Sequence, residues 1–289
     1  MKTLKIFFII LSLGISSVLF SCEKDPVIRE GTYIYENQHL SYINSFPVSW
    51  RGDISDEVKE TVKEILNSFV KVEGGSFVMG SNDSGFDNEG PAHIVYLSDF
   101  YLSKVTVTQK QWKTIMGENV LWTEKYGKGD KYPANYVSYD LALLFIENLN
   151  IVSGLRFRMP TEAEWEYAAC GGANSHGYTY SGSNNPDLVA WSGQNANAQM
   201  HISALLHPNE LGLYDMSGNL WEWCSDYYGE YFSSTATNPT GPYYGDKHVL
   251  RGGSFTYEAT YSRCKTRNCL PVYNESLSVG LRLAMDADN

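Results

Sequence analysis

Apolar residues fall at helical spacing in only a few stretches of this chain. From Asp56 to Val70, the residues Val58, Val62, Ile65, Leu66 and Phe69 recur every three or four positions, which predicts one amphipathic helix. Ser55 stands where a side chain caps the first turn, and Asp56 and Glu57 suit the positive end of the helix dipole. A second, shorter helix is predicted after Thr108, with Gln111 as its capping-box partner, an apolar face of Trp112, Ile115 and Met116, and Gly117 as its stop. Ser138 opens a third, carrying Leu141, Leu144, Phe145 and Leu149 and followed by Gly154. Thr161 and Glu164 repeat the capping box, and Trp165 and Ala168, or Tyr167 on a neighbouring face, are expected to pack inward.

The strand signals are short. Val72 to Ser81 reads as a strand around the turn at Gly74 and Gly75. Ile94 to Val107 is β-branched and aromatic enough for one or two more. The last third predicts Leu211–Met216, Leu220–Cys224, His248–Arg251 and Val279–Leu283. Between these lie a polar loop from Asn82 to Pro91 and a long stretch, 171–210, rich in Gly, Asn and Ser with isolated aromatics. A loop of that length inside a compact domain often marks a functional region. Few helices, short strands and much ordered loop make this an α+β chain.

The N-terminus follows a different pattern. Lys2 and Lys5 precede an almost wholly apolar run from Ile6 to Phe20, too short for a spanning helix and well suited to a signal peptide. Leu19-Phe20-Ser21-Cys22 resembles a lipobox, which makes Cys22 the expected lipidated first residue of the mature protein. The organisation expected is a signal peptide over 1–21, a tether and helix over 22–69, and one domain over 70–286. An acyl anchor holds such a domain at a membrane without a spanning helix. The location expected is the cell envelope, at the outer membrane, on its periplasmic face or the cell surface. The whole chain carries a formal net charge of -11, and cleavage would remove two lysines and no acid. That balance excludes nucleic acid as a partner, because phosphate neutralisation needs clustered Lys and Arg.

Beyond Cys22 the cysteines are Cys170, Cys224, Cys264 and Cys269. An exported compartment permits disulfides, and spacing does not choose among the three complete pairings. None of the spacings suits zinc.

Several segments, in order, resemble the formylglycine-generating-enzyme or sulfatase-modifying-factor family. They are Val72–Ser81, Phe100–Thr108, Arg158–Ala169, Gly212–Trp223, Leu250–Phe255 and Gly280–Arg282. The resemblance implies a C-type-lectin-like fold: a twisted antiparallel sheet, flanking helices and much ordered loop. The enzymes of this family oxidise a protein cysteine with Cu(I) held by two thiolates, placed three and eight residues beyond the serine equivalent to Ser254. Here those positions are Tyr257 and Ser262. A phenol and a hydroxyl do not replace two soft sulfur ligands, so copper is not expected and no catalytic residue is assigned. The iron-dependent branch of the superfamily uses histidines of another domain. The histidines here, His39, His93, His176, His201, His207 and His248, are scattered and read as surface or loop residues. Residue by residue, Asp215, the carbonyls of Gly218 and Leu220, and Glu222 match a structural calcium site of the family, an oxygen set suited to that cation.

The resemblance also implies a surface groove, which in the enzymes takes an extended peptide. Here it would be lined by Trp221, Ser254, Thr256, Tyr257 and Tyr261. The mix of aromatic and small polar groups from Thr256 to Tyr261 is that of a recognition surface. The expected function is therefore a non-catalytic binding or scaffold lipoprotein with a protein or peptide partner. One alternative is an oxidase with Cys264 and Cys269 as its working pair. A second is a glycan-binding module, suggested by the many Tyr and Trp residues.

Overall fold

The computed structural model describes residues 27–29, 32–34, 39–44 and 46–287. The proposed signal peptide, Cys22 and most of the tether lie outside the described residues. The chain divides into 1–37 and 38–289. In the first, β1 (Val27–Arg29) and β2 (Thr32–Ile34) pair antiparallel, Val27 opposite Ile34.

The second begins with an antiparallel pair, β3 (His39–Ile43) and β4 (Phe46–Trp50). Helix α1 (Asp56–Asn67) follows, its N-cap Ser55 accepting from the Val58 amide. Phe46, Val48, Val62, Ile65 and Leu66 are all buried in one cluster with Trp112, Phe145 and Leu281. The domain therefore starts well before residue 70, because the helix expected to join a tether fills the domain's own core. Helix α1 also stops earlier than its apolar period suggests. Ser68 turns the chain, and Phe69 and Val70 enter strand β5 (Phe69–Val72).

Strands β6 (Gly75–Met79) and β7 (His93–Leu97) form a hairpin, and β8 (Phe100–Ser103) pairs antiparallel with β5. Helix α2 (Gln109–Met116) has both hydrogen bonds of its capping box, Gln111 amide to Thr108 Oγ1 and Thr108 amide to Gln111 Oε1. Helix α3 (Tyr139–Ser153) ends at Gly154, whose φ of +71° is left-handed. Phe145 of α3 stacks on Trp112 of α2 at 5.2 Å, whereas Leu144 points outward. Helix α4 (Glu162–Ala169) is buried along its whole length.

The rest is loop and short strands: β9 (Ala190–Trp191), β10 (Ser217–Gly218), β11 (Trp221–Tyr227), β12 (Ala236–Thr237), β13 (His248–Arg251), β14 (Arg267–Leu270), β15 (Val279–Gly280) and β16 (Ala284–Asp286). The largest sheet runs β14-β13-β11-β15, with β15 parallel to β11 and the other pairs antiparallel. Smaller sheets run β16-β8-β5 and β12-β7-β6. The expected strand at Leu211–Met216 does not form. Gly212 and Asp215 are left-handed there, and the amides of Leu211 and Leu213 donate to the Asn209 side chain instead of to a neighbouring strand. Among the described residues no helix is long and apolar enough to cross a membrane.

Candidate functional site

The segment after β13 is built by glycines. Gly252 and Gly253 have φ of +100° and +77°, and a Cβ on Gly253 would meet the Tyr261 carbonyl at 2.7 Å. Only glycine lets the chain pass that close. Ser254 is buried and its Oγ lies 2.9 Å from Thr256 Oγ1, while the Tyr257 amide donates to the Ser254 carbonyl at 3.1 Å. Phe255 is the plug of this turn, buried with Ala196, Met200 and Leu220. The 190s loop clamps the segment from outside: the Gly193 amide donates to the Tyr257 carbonyl at 2.7 Å, and Gln194 Oε1 accepts from the Ala259 amide at 2.8 Å.

With the backbone fixed, Thr256, Tyr257, Glu258, Thr260 and Tyr261 face solvent. The aromatic rings form a line. Tyr257 meets Trp221 edge-on at 5.6 Å and Tyr261 at 5.5 Å, and Tyr261 meets Phe86 at 5.7 Å. The Arg263 guanidinium caps Phe86 at 4.4 Å while pairing with the buried Glu89 at 2.6 Å. Of the expected groove residues, Tyr257, Tyr261 and Thr256 are therefore surface. Trp221 and Ser254 are floor, at 1% and 0% exposure. Phe86, Arg263 and Gln194 were missed. Phe86 comes from the polar loop and Gln194 from the Gly-rich stretch, where no periodicity marks them, and Arg263 follows the turn that ends at Ser262.

Two polar atoms at this floor have no hydrogen-bond partner, Trp221 Nε1 and Ser262 Oγ. Ser262 is fully buried. An unpaired buried hydroxyl costs about 1–3 kcal/mol, and here it occupies one of the two positions where the family resemblance implies a thiolate. Cys264 and Cys269 are not brought together as a substitute pair. Cys269 lies on β14 opposite Val249, while the buried Cys264 thiol donates to the Ala169 carbonyl at 3.4 Å.

Behind the surface stands a buried ionic frame. Arg251 donates through Nε to Glu162 at 2.9 Å, pairs with Glu166, and reaches the carbonyls of Cys264 and Thr266. Arg267 donates to both oxygens of Glu162, at 2.6 Å to the Oε1 it shares with Arg251 and at 2.8 Å to Oε2. Burial opposes ionisation of Glu162, but Arg251 and Arg267 outweigh it and hold its pKa below the usual range. These acids are committed to arginines and serve as structural anchors.

The calcium assignment meets the same physics. Glu222 is fully buried, takes both prongs of Arg282 at 2.8 and 2.7 Å, and accepts the Trp165 indole N–H at 2.7 Å. Its charge is paired with a guanidinium, so Glu222 would have to release Arg282 to join a calcium ion. Asp215 accepts from the Ala204 amide at 2.8 Å, and burial, with the Glu222 charge as a lesser cause, pushes its pKa up to about 6. Among the described residues no three His, Cys, Asp or Glu side chains gather as a metal site. Nor are the histidines all surface groups. His93 and His248 are buried on β7 and β13, and His248 stacks on Tyr139 at 3.6 Å.

Residues 55–287 match the sulfatase-modifying factor enzyme 1-like domain. The chaperone protein LppX of Paenibacillus barcinonensis is 33% identical over 214 residues, covering 57% of this chain and 73% of that protein. The formylglycine-generating enzyme of Thermomonospora curvata is 25% identical, with 80% of this chain and 97% of the enzyme covered. The serine/threonine-protein kinase pkn1 of Chlamydia caviae is 30% identical over 85% of this chain, which spans only 42% of that kinase. Among solved structures, Treponema denticola variable protein 1 superposes with a TM-score of 0.69 at 24% identity, covering 86% of this chain and 99% of that one. That likeness speaks for the fold alone, the α+β, C-type-lectin-like one.

Proposed function

The chain belongs to the sulfatase-modifying-factor family, and from that premise we propose that it is an exported, lipid-anchored binding or scaffold protein rather than a copper oxidase. Its binding surface is the aromatic line Tyr257–Tyr261–Phe86 with Thr256 and Glu258 beside it. The observation that carries this reading is the composition of the turn after Ser254. It offers two half-exposed phenols to a partner and no sulfur to a metal, since no cysteine lies between Ser254 and Arg263. Exposed tyrosines bring large contact area at small entropic cost, as recognition surfaces require. The partner is a protein or an extended peptide segment, and the anchor is an acyl chain on Cys22 in the outer membrane.

The experiment places a photo-crosslinking residue at position 257 in the cell-borne protein and, as control, at Tyr243, which is 97% exposed and lies outside the segment that follows Ser254. A discrete protein adduct at 257 that is absent at 243 is expected. Equal labelling at both sites abandons the surface. In parallel, the reduced protein is titrated with Cu(I) in the presence of a cysteine peptide. Tight uptake of one copper with oxygen consumption would overturn the non-catalytic reading. The glycan-binding alternative is separated by a glycan array, where no binding is expected.

A further inference from the structure

We propose that Cys170 and Cys264 form a reversible dithiol–disulfide pair that pins the C-terminal end of α4 to the turn between the binding surface and β14. The pair is independent of what the surface binds. Cys170 is the residue that ends α4, and its amide still donates to the Glu166 carbonyl at 2.9 Å. Cys264 sits in the turn between Ser262 and β14, its amide held by the Thr179 carbonyl at 3.0 Å. Its sulfur lies 3.4 Å from the carbonyl of Ala169, the residue directly before Cys170, and the two cysteines belong to one packed cluster. Among the described residues the remaining cysteines lie on other elements. Cys224 is buried on β11, and Cys269 is carried away on β14.

The two sulfurs differ in access. Cys170 is partly exposed and lines a pocket of about 260 Å³ together with Phe77, Tyr167, Tyr178 and Lys265. Cys264 is 1% exposed. Its interaction with Cys170, and then its burial, push the Cys264 thiol well above the ordinary range. The oxidant is a low-molecular-weight disulfide entering from the pocket. The Cys170 sulfur, having given up its proton, attacks one sulfur of that disulfide. A mixed disulfide forms and one small thiolate leaves. Cys264 then loses its proton to solvent and attacks the Cys170 sulfur. The protein S–S bond forms and the second small thiolate leaves. The two protein sulfurs have lost two electrons and the small disulfide has gained them.

The cross-link has a structural consequence at the surface. The segment 254–266 is tied at its start by β13 and at its end by β14, and Cys264 is its inner contact with α4. A covalent tie there would hold the exposed residues Thr256–Tyr261 to the ionic frame independently of any ligand.

The test uses the full chain, purified with a thiol reductant and equilibrated in glutathione buffers of increasing disulfide content. Alkylation and peptide mass mapping then report every cysteine separately. The expected result is a peptide pair joined through Cys170 and Cys264, with Cys224 and Cys269 still alkylated. The oxidised form should melt higher by roughly 5–10 °C. Cys264→Ser should trap the small thiol on Cys170, while Cys269→Ser should leave the cross-link intact. Should the serine variant of Cys264 fail to fold, the mapping of the unaltered chain decides alone. Cys170 and Cys264 both alkylated at every buffer composition, or Cys264 joined to a different cysteine, would overturn the proposal.

Discussion

The inner face of the segment 251–267 and its outer face are built on opposite rules. Inside, Arg251, Arg267, Glu162 and Glu166 satisfy one another within hydrogen-bond distance, and every strong charge has its counter-charge. Outside, the rings of Tyr257 and Tyr261 meet other rings edge-on, and the floor beneath keeps two polar atoms without partners. The inner face has no freedom, since a change of one charge strands another in a dry interior. The outer face has much, since its side chains are exposed and the backbone beneath is set by glycines and the clamp from Gly193 and Gln194. The contrast explains how one family frame can carry different chemistry: the frame fixes where the segment lies, and the segment decides what it does.

The hardest blow to that contrast comes from the inner face. Arg251→Met takes the ionic partner from Glu166, a carboxylate at zero exposure, and the expected loss is about 3–5 kcal/mol. Thermal unfolding should show it as a drop on the order of 10 °C. Adding Glu166→Gln to the same chain removes the stranded charge and should recover part of the loss. If Arg251→Met melts within a degree or two of the unaltered protein, the frame is not what holds the segment.

The local elements that carry the frame were legible in the sequence, the frame's own ion pairs were not, and the surface was legible only in outline. Capping boxes at Thr108 and Thr161 were readable because they are local: donor and acceptor lie three residues apart, so the pattern is in the letters. Strand β13 was likewise visible, being apolar and bounded. What could not be read are pairings across long separations. Glu162 meets Arg251 and Arg267 from about a hundred positions away, and nothing in either segment names the other. Asn209 was invisible as the side chain that takes over the backbone of the expected strand 211–216. The groove residues were placed by family likeness. That likeness located Tyr257 and Tyr261 but did not show that Trp221 is floor, nor that Phe86 and Arg263 extend the line.

A middle-sized effect separates the frame from a metal site. Burial raises Asp215 to about 6 and, together with the Glu162 charge, raises Asp226 to about 7. Both folded values stand above the unfolded carboxylate, so the folded state holds protons the unfolded chain would release. Their stabilising contribution is complete below about pH 4 and is lost as pH rises through about 6 to 7. Asp215→Asn keeps an acceptor for the Ala204 amide and removes the buried charge. It should raise stability at pH 8 by about 1–3 kcal/mol and change little at pH 4. Urea unfolding at the two pH values reads the difference. If the substitution instead lowers stability, and does so only when calcium is present, Asp215 is a ligand and Glu222 must release Arg282 to join it.

The smallest effects lie on the outer face, and their smallness is the point. Tyr257→Ala removes a half-exposed ring whose contacts are other rings, and should cost less than about 1 kcal/mol. Ser262→Ala deletes a hydroxyl that already lacks a partner, so its removal should leave stability unchanged or slightly higher. Circular dichroism melts resolve both from the inner-face loss. Against that quiet background the double change Tyr257→Cys with Ser262→Cys asks whether the frame still holds the geometry for a soft metal. If the segment lies as it does in the oxidases, the double variant should take up one Cu(I) under reducing conditions and each single variant should not. Failure of the double variant to bind copper, with its fold intact, would mean that the surface has departed from the enzymes in backbone as well as in side chain. The inner frame would then constrain the segment less tightly than its saturated hydrogen bonds imply.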